Sequence, residues 1–297
     1  MIKMSFARAL SSEYSQYMVK IELPERQPSI PLVCDSPHSG THYPADFNYA
    51  VDLADLRKCE DTHVEKLWSG VPAVGGTLLH AMFPRSYLDA NRTEFDIDVN
   101  MMGNDWPGRA EPSPRCIQLG NGLVFSKTTT LQNIYERRLS VDEVQHRIET
   151  CWRPYRQTLM QVLDAASQQH GRRWHLNLHS MPSNAYERLG LPKGKVLADV
   201  VLGDLHGAAC SAEFTGIVAT AFKQHGYTVA INDPYAGMDL IRQHGNPSLG
   251  HDSLQIELNR ALYLNEQTRE PLPQFRQVQK DLSLILTTLA SYIRQQL

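Results

Sequence analysis

PLVCDSPHSG, residues 31–40, is a short apolar run that stops in a polar turn. Leu32, Val33 and Cys34 read as a buried strand. Asp35, Ser36, His38 and Ser39 crowd its end, and Pro37 and Gly40 fix the bend. A strand that ends this way sets its side chains at the rim of a sheet, where α/β enzymes keep their sites. His38 is therefore the first candidate for a metal or acid–base site, against the plainer reading of a histidine that bonds its own turn.

The same logic recurs at 174–182, WHLNLHSMP. Alternation puts His175, Asn177 and His179 on one face of a strand and Leu176 and Leu178 on the other. His179, at the strand end, is the second candidate ligand, and His175 reads as a core histidine with its own partners. A third strand at 253–260, SLQIELNR, sets Gln255, Glu257 and Asn259 on one face. Glu257 among apolar neighbours needs a partner or a task, because burying an unpaired charge is costly. Between these strands, 83–92 reads FPRSYLDANR just past a strand at 78–82. Arg85 and the Asn91-Arg92 pair suit a carboxylate, since a guanidinium offers a bidentate fork. The plainer alternative is an ion pair with Asp89 or Glu94.

The remaining pattern alternates strands with helices. Strands are expected at 17–23, 196–202 and 227–231. Helices are expected at 52–68, at 131–169 with an interruption at Pro154, at 209–225 closed by Gly226, and at 274–296. Cys59-Glu60-Asp61-Thr62-His63 falls inside the first helix, either as solvated surface or as an acid able to reach His38. Residues 93–122, rich in Pro, Gly, Asn and Asp, read as a long loop of the kind that covers or lines a site. A second loop is expected from 232 to the last strand. No internal repeat interrupts the pattern, so one catalytic domain over 1–297 is expected.

Composition narrows the function. The chain has 297 residues, 42% hydrophobic and 21% charged, with a net charge of −3. That charge gives no reason to expect a nucleic acid or an anionic membrane as partner. No window approaches the ~20 apolar residues of a membrane span. Five widely spaced cysteines without a CxxC pair argue against a disulfide framework or a thiolate zinc site. With an N-terminus that reads as no secretory signal, the expected compartment is cytoplasmic.

SPHSG with YPADF, EDTHVEKL, DANR, NLHSMPS and LQIELNRALY, in that order from about residue 31 to 263, resemble the N-formylglutamate amidohydrolase family. The resemblance extends to the related zinc carboxypeptidases and aspartoacylases. It implies an α/β fold, a three-layer α/β/α sandwich around a mixed sheet. The carboxypeptidase pattern of a His-x-x-Glu pair, an Asn-Arg pair, a strand His and a late Glu is similar here to His38, Asn91-Arg92, His179 and Glu257. The glutamate three residues past the first histidine is missing, because Thr41 stands there. The resemblance then places the second metal ligand on Asp61, ahead of Val64-Glu65-Lys66-Leu67, with Glu60 and His63 in reserve.

What the resemblance implies for chemistry is a Zn2+ site, or one for another divalent transition metal, held by His38, Asp61 and His179. Glu257 is the implied general base for a metal-activated water. Asn91 and Arg92 hold a substrate carboxylate, and Arg85 a second carboxylate or the oxyanion. The implied reaction is hydrolysis of N-formyl-L-glutamate to formate and L-glutamate, a late step of histidine degradation. The implied partner is thus a small dicarboxylate N-acyl amino acid. A related deacylase or carboxypeptidase-like hydrolase, and a non-catalytic binding protein, are the competing expectations.

Overall fold

Three parallel strands carry the stretches singled out above. The computed structural model describes residues 18–25, 28–191 and 194–297. In it β2 (Leu32–Ser36), β4 (Arg173–Met181) and β7 (His251–Asn259) lie side by side. β1 (Val19–Glu22), β3 (Thr77–Ala81), β5 (Val200–Gly203) and β6 (Val229–Ile231) complete a seven-stranded sheet ordered β1-β3-β2-β4-β7-β5-β6. β5 runs antiparallel to β7 and parallel to β6, so the sheet is mixed, as expected. The N-terminal segment read for a leader, and Tyr17 at the start of the expected first strand, lie outside the described residues.

The helices are α1 (Leu53–Arg57), α2 (Val64–Leu67), α3 (Pro114–Leu119), α4 (Val141–Arg147), α5 (Arg153–His170), α6 (Ala185–Arg188), α7 (Ala212–Gln224), α8 (Asp239–His244) and α9 (Phe275–Gln295). None of them is long and apolar enough to cross a membrane. Packing divides the chain into two compact units. One gathers Pro37–Glu60 and His80–Leu159 with the described residues up to Ile21. The other gathers Glu22–Ser36, Asp61–Leu79 and Met160–Leu297.

In the second unit, alternation sorts the strands into an apolar and a polar face. Trp174, Leu176 and Leu178 of β4 join Leu254, Ile256 and Leu258 of β7 in one core with Phe214, Val218 and Phe222 of α7 and Leu282, Ile285, Leu289 and Ile293 of α9. Each such side chain, fully buried, contributes about 1.5–3 kcal/mol. On the other face α8 packs on β4 and β7, and the His244 ring lies 6.0 Å from that of His175. Helices thus cover both faces of the sheet in this unit.

The first unit carries the turn at the end of β2 and the loops behind it. A Cβ on Gly40 would meet the Phe83 carbonyl oxygen at 2.2 Å, so only glycine lets the turn lie against the chain leaving β3. The His42 amide bonds the Met82 carbonyl there at 2.8 Å. Arg147 is buried with its guanidinium 4.2 Å from the Tyr87 ring centre and 5.4 Å from that of Phe47, and donates to the Tyr135 hydroxyl at 2.7 Å. Aromatic faces replace part of the hydration this cation loses.

Four expectations need correction. The helix expected over 52–68 is two short pieces, because 59–63 is committed elsewhere. Thr62 accepts from the Tyr263 hydroxyl at 3.1 Å and from Arg269 at 2.6 Å, and His63 turns to a left-handed φ of 69°. Glu60, Asp61 and Thr62 are buried, so they are not solvated helix surface. The helix expected from 131 begins at Val141, where Ser140 and Glu143 close a capping box. Its interruption is a π turn at Ile148–Trp152, just ahead of Pro154, which lacks the N–H a continuing helix would use there. The two loops each hold a short helix, α3 within 93–122 and α8 after 232.

Candidate active site

In the first unit the group around Asp89 is built on the chain that follows β3. Asp89 is fully buried, and its amide is pinned to the Leu123 carbonyl at 2.7 Å. Its Oδ1 accepts from His38 Nε2 at 2.6 Å and from the Asn91 amide at 2.9 Å. Its Oδ2 accepts from Arg85 Nη2 at 2.9 Å, with Arg92 Nε at 3.8 Å. Burial on its own would raise the Asp89 carboxyl, but the charges of His38, Arg85 and Arg92 hold it well below the usual carboxylate range. An ionised carboxylate only accepts, so it fixes the His38 proton on Nε2. In the neutral ring the lone pair then sits on Nδ1, as in the carboxylate–histidine arrangement that orients metal ligands.

Arg92 is buried, with Nε 4.0 Å from Asp96 as well. The Trp152 indole donates to the Arg92 carbonyl at 2.9 Å, and Arg156 to the Ala90 carbonyl at 3.2 Å. Arg85 and Arg92 are therefore placed by Asp89, a residue read from the sequence only as an ion-pair alternative. The DANR motif contained it; its burial was the part not visible.

In the second unit a polar ladder runs across β2, β4 and β7. The strand register sets Asp35 beside Asn177, His175 beside Ser253, Asn177 beside Gln255 and His179 beside Glu257. His175 Nε2 donates to Asp35 Oδ1 at 2.8 Å and its Nδ1 meets Ser253 Oγ at 2.7 Å. His175 is thus the satisfied core histidine expected. Asn177 Nδ2 donates to Asp35 Oδ1 at 2.8 Å, and His179 Nε2 lies 2.7 Å from Asn177 Oδ1. His179 Nδ1 lies 3.1 Å from Asp61 Oδ2. Asp61 Oδ1 accepts from Arg260 Nη2 at 2.7 Å. Burial works against the Arg260 charge, but Asp61 together with Tyr263 and Glu266 offsets it and keeps the guanidinium pKa above its ordinary value.

Glu257 lies on the same face as His179, and the Gln255 amide donates to its Oε1 at 2.9 Å. The two residues that alternate with it, Ile256 and Leu258, point into the apolar core. Arg260, the last residue of SLQIELNR, is turned to Asp61 and to Ser180 Oγ at 3.1 Å.

The donor set fits a divalent metal. Asn177 Oδ1 can only accept, so His179 carries its proton on Nε2, and the bare Nδ1 then faces a carboxylate oxygen of Asp61. Two lone pairs at 3.1 Å require a cation between or beside them, a proton or a metal ion. Histidine nitrogen with carboxylate oxygen is a zinc-type set.

The sheet is mixed, and each unit holds a buried histidine paired with a buried carboxylate near the end of a parallel strand, an arrangement suited to an α/β enzyme. Comparison with known proteins sharpens this. The N-formylglutamate amidohydrolase family model matches residues 30–264, and the chain belongs to that family. It is a hydrolase. It resembles N-formylglutamate deformylase of Pseudomonas putida, 26% identical over 264 residues covering 85% of this chain and 90% of that one. The corresponding deformylase of Pseudomonas aeruginosa is 24% identical over 80% and 84%. The crystal structure of N-formylglutamate amidohydrolase from Ralstonia eutropha JMP134 superposes with a TM-score of 0.92 at 47% identity, over 95% of this chain and all of that one.

Proposed function

We propose that this chain hydrolyses N-formyl-L-glutamate to formate and L-glutamate, using one divalent metal ion, zinc or a similar transition metal. His38, Asp61 and His179 each offer one ligand atom to the ion. The observation that carries the substrate reading is the 47% identity to the Ralstonia enzyme along nearly the whole chain. The metal reading is supported by the fixed tautomer of each histidine and by the bare His179 Nδ1 turned to Asp61. When bound, such an ion polarises the scissile carbonyl and lowers the pKa of a water towards ~7.

The chain's own residues do the rest. Glu257, beside His179 in register, takes the proton of the attacking water and delivers it to the leaving amine. Arg92, with Asn91, binds a substrate carboxylate, and Arg85 binds the other or the developing oxyanion. Asp89 gathers all of these from behind, through His38, Arg85 and the Asn91 amide. Holding the substrate by its carboxylates fixes the formyl group and contributes to rate by orientation.

The two units act as one catalytic domain, in a late step of histidine degradation. A cytoplasmic setting agrees with five free, buried cysteines. The test is a panel of N-formyl-, N-acetyl- and peptidyl-glutamates. Preference for the N-formyl compound supports the reading; preference for another acyl group would move the chain to a related deacylase.

A further inference from the structure

The ladder behind His179 is longer than a ligand needs. From Ser253 it passes through His175, Asp35 and Asn177 to His179, all of them buried. Two neighbouring strands supply the far end, β2 giving Asp35 and β7 giving Ser253. The direction of each hydrogen bond follows from the end that has no choice. Asp35 accepts from His175 Nε2 and from Asn177 Nδ2 on the same oxygen. Two donors on one oxygen leave the Asn177 amide one orientation, because turning it over would set its oxygen against that carboxylate oxygen at 2.8 Å. Asn177 Oδ1 is then the atom that faces His179 Nε2, and that nitrogen must carry the proton.

We propose that Asn177 is a positioning residue for the metal centre. It holds His179 in the Nε2-protonated tautomer, so that Nδ1 is the atom offered to the ion, and Asp35 with His175 holds Asn177. This rests on the metal reading given above. Partners of this kind typically change metal affinity 10–100-fold when removed, on the order of the effect expected here.

The test uses the full chain labelled with 15N-histidine, at about pH 9, above the range where an ordinary histidine takes a second proton. The His179 ring, identified by the signals lost in His179→Gln, should show a protonated Nε2 before zinc is added, with Nδ1 either bare or sharing a second proton with Asp61. Asn177→Ala should weaken zinc binding, measured against a chromophoric chelator, by about 10–100-fold. A purely structural Asn177 would lower the melting temperature but leave the tautomer and the zinc affinity of the folded protein unchanged. A wild-type ring protonated on Nδ1 with a bare Nε2 overturns the proposal without any variant at 177. So does an Asn177→Ala protein with wild-type zinc affinity. A wild-type chain that takes up no zinc overturns the metal reading and this inference with it; the tautomer, read without metal, tells that failure apart.

Discussion

His179 Nδ1 and Asp61 Oδ2 face each other at 3.1 Å, while the far nitrogen of the ring is held by Asn177 and the far oxygen of the carboxylate by Arg260. Each group is thus held from behind, with Nδ1 and Oδ2 turned towards each other. On the proposed metal reading, both ligands are held in place before the ion arrives. Pre-fixed ligands reduce the ordering that binding would otherwise cost.

Asp61→Asn should therefore lose zinc affinity and stability together. The amide keeps the shape but removes the charge facing both the ion and a buried guanidinium. Breaking a buried ion pair costs on the order of 3–5 kcal/mol, and a retained hydrogen bond to Arg260 puts this variant at the lower end. Chelator competition and thermal melting on one preparation check it. Full zinc content with an unchanged melting temperature would take Asp61 out of the ligand set.

Arg92→Ala should raise KM for N-formylglutamate and leave metal content alone. A charge-assisted contact to a carboxylate is worth about 1.5–3 kcal/mol, which is roughly a 10–150-fold change. Steady-state kinetics beside metal analysis are sufficient. An unaltered KM would assign Arg92 to the loop ion pairs with Asp89 and Asp96 alone.

Glu257→Gln keeps the side-chain shape beside His179 and removes the base. It should fold, bind zinc and bind substrate, and lose about 10²–10⁴ in kcat. If Glu257 were only a packing element, the variant would melt earlier while its folded fraction stayed active. Turnover and melting temperature measured together separate the two.

Glu143 offers a check far from the site. Its hydrogen bonds with Arg137 lower its pKa to about 2, against a smaller opposing effect of burial. A carboxyl whose folded pKa is depressed adds stability above its unfolded pKa of about 4.3 and loses it as pH falls towards the folded value. The pair is partly exposed, so solvent screening holds the contribution to about 1 kcal/mol or less. Glu143→Gln should narrow the stability gap to wild type between pH 5 and pH 2, read as melting temperature across that range. Parallel curves would show that the pair adds nothing.

The strands were legible because their periodicity is strict. Residues 174–179 and 253–259 alternate polar and apolar without a break, and the structure places both faces as read. The helix expected from 131 begins only at Val141, because the apolar spacing upstream concealed the capping box of Ser140 and Glu143. Between 59 and 63 the order failed for a different reason. Nothing local marks those residues as non-helical; their bonds go to Arg260, Tyr263 and Arg269, about two hundred positions away. The same holds for Asp89, whose importance lies in collecting His38 from 51 positions earlier together with Arg85. Residue types at strand ends can be read from sequence, but long-range partners of a buried carboxylate cannot.

The most direct measurement is release of formate from N-formyl-L-glutamate by the purified chain, before and after removal of metal. The account predicts one formate per glutamate formed, about one divalent ion per chain, activity lost on chelation, and recovery when zinc or a similar ion is restored. Undiminished formate release from a chain shown to hold no metal would contradict it, as would a metal-loaded chain that releases none.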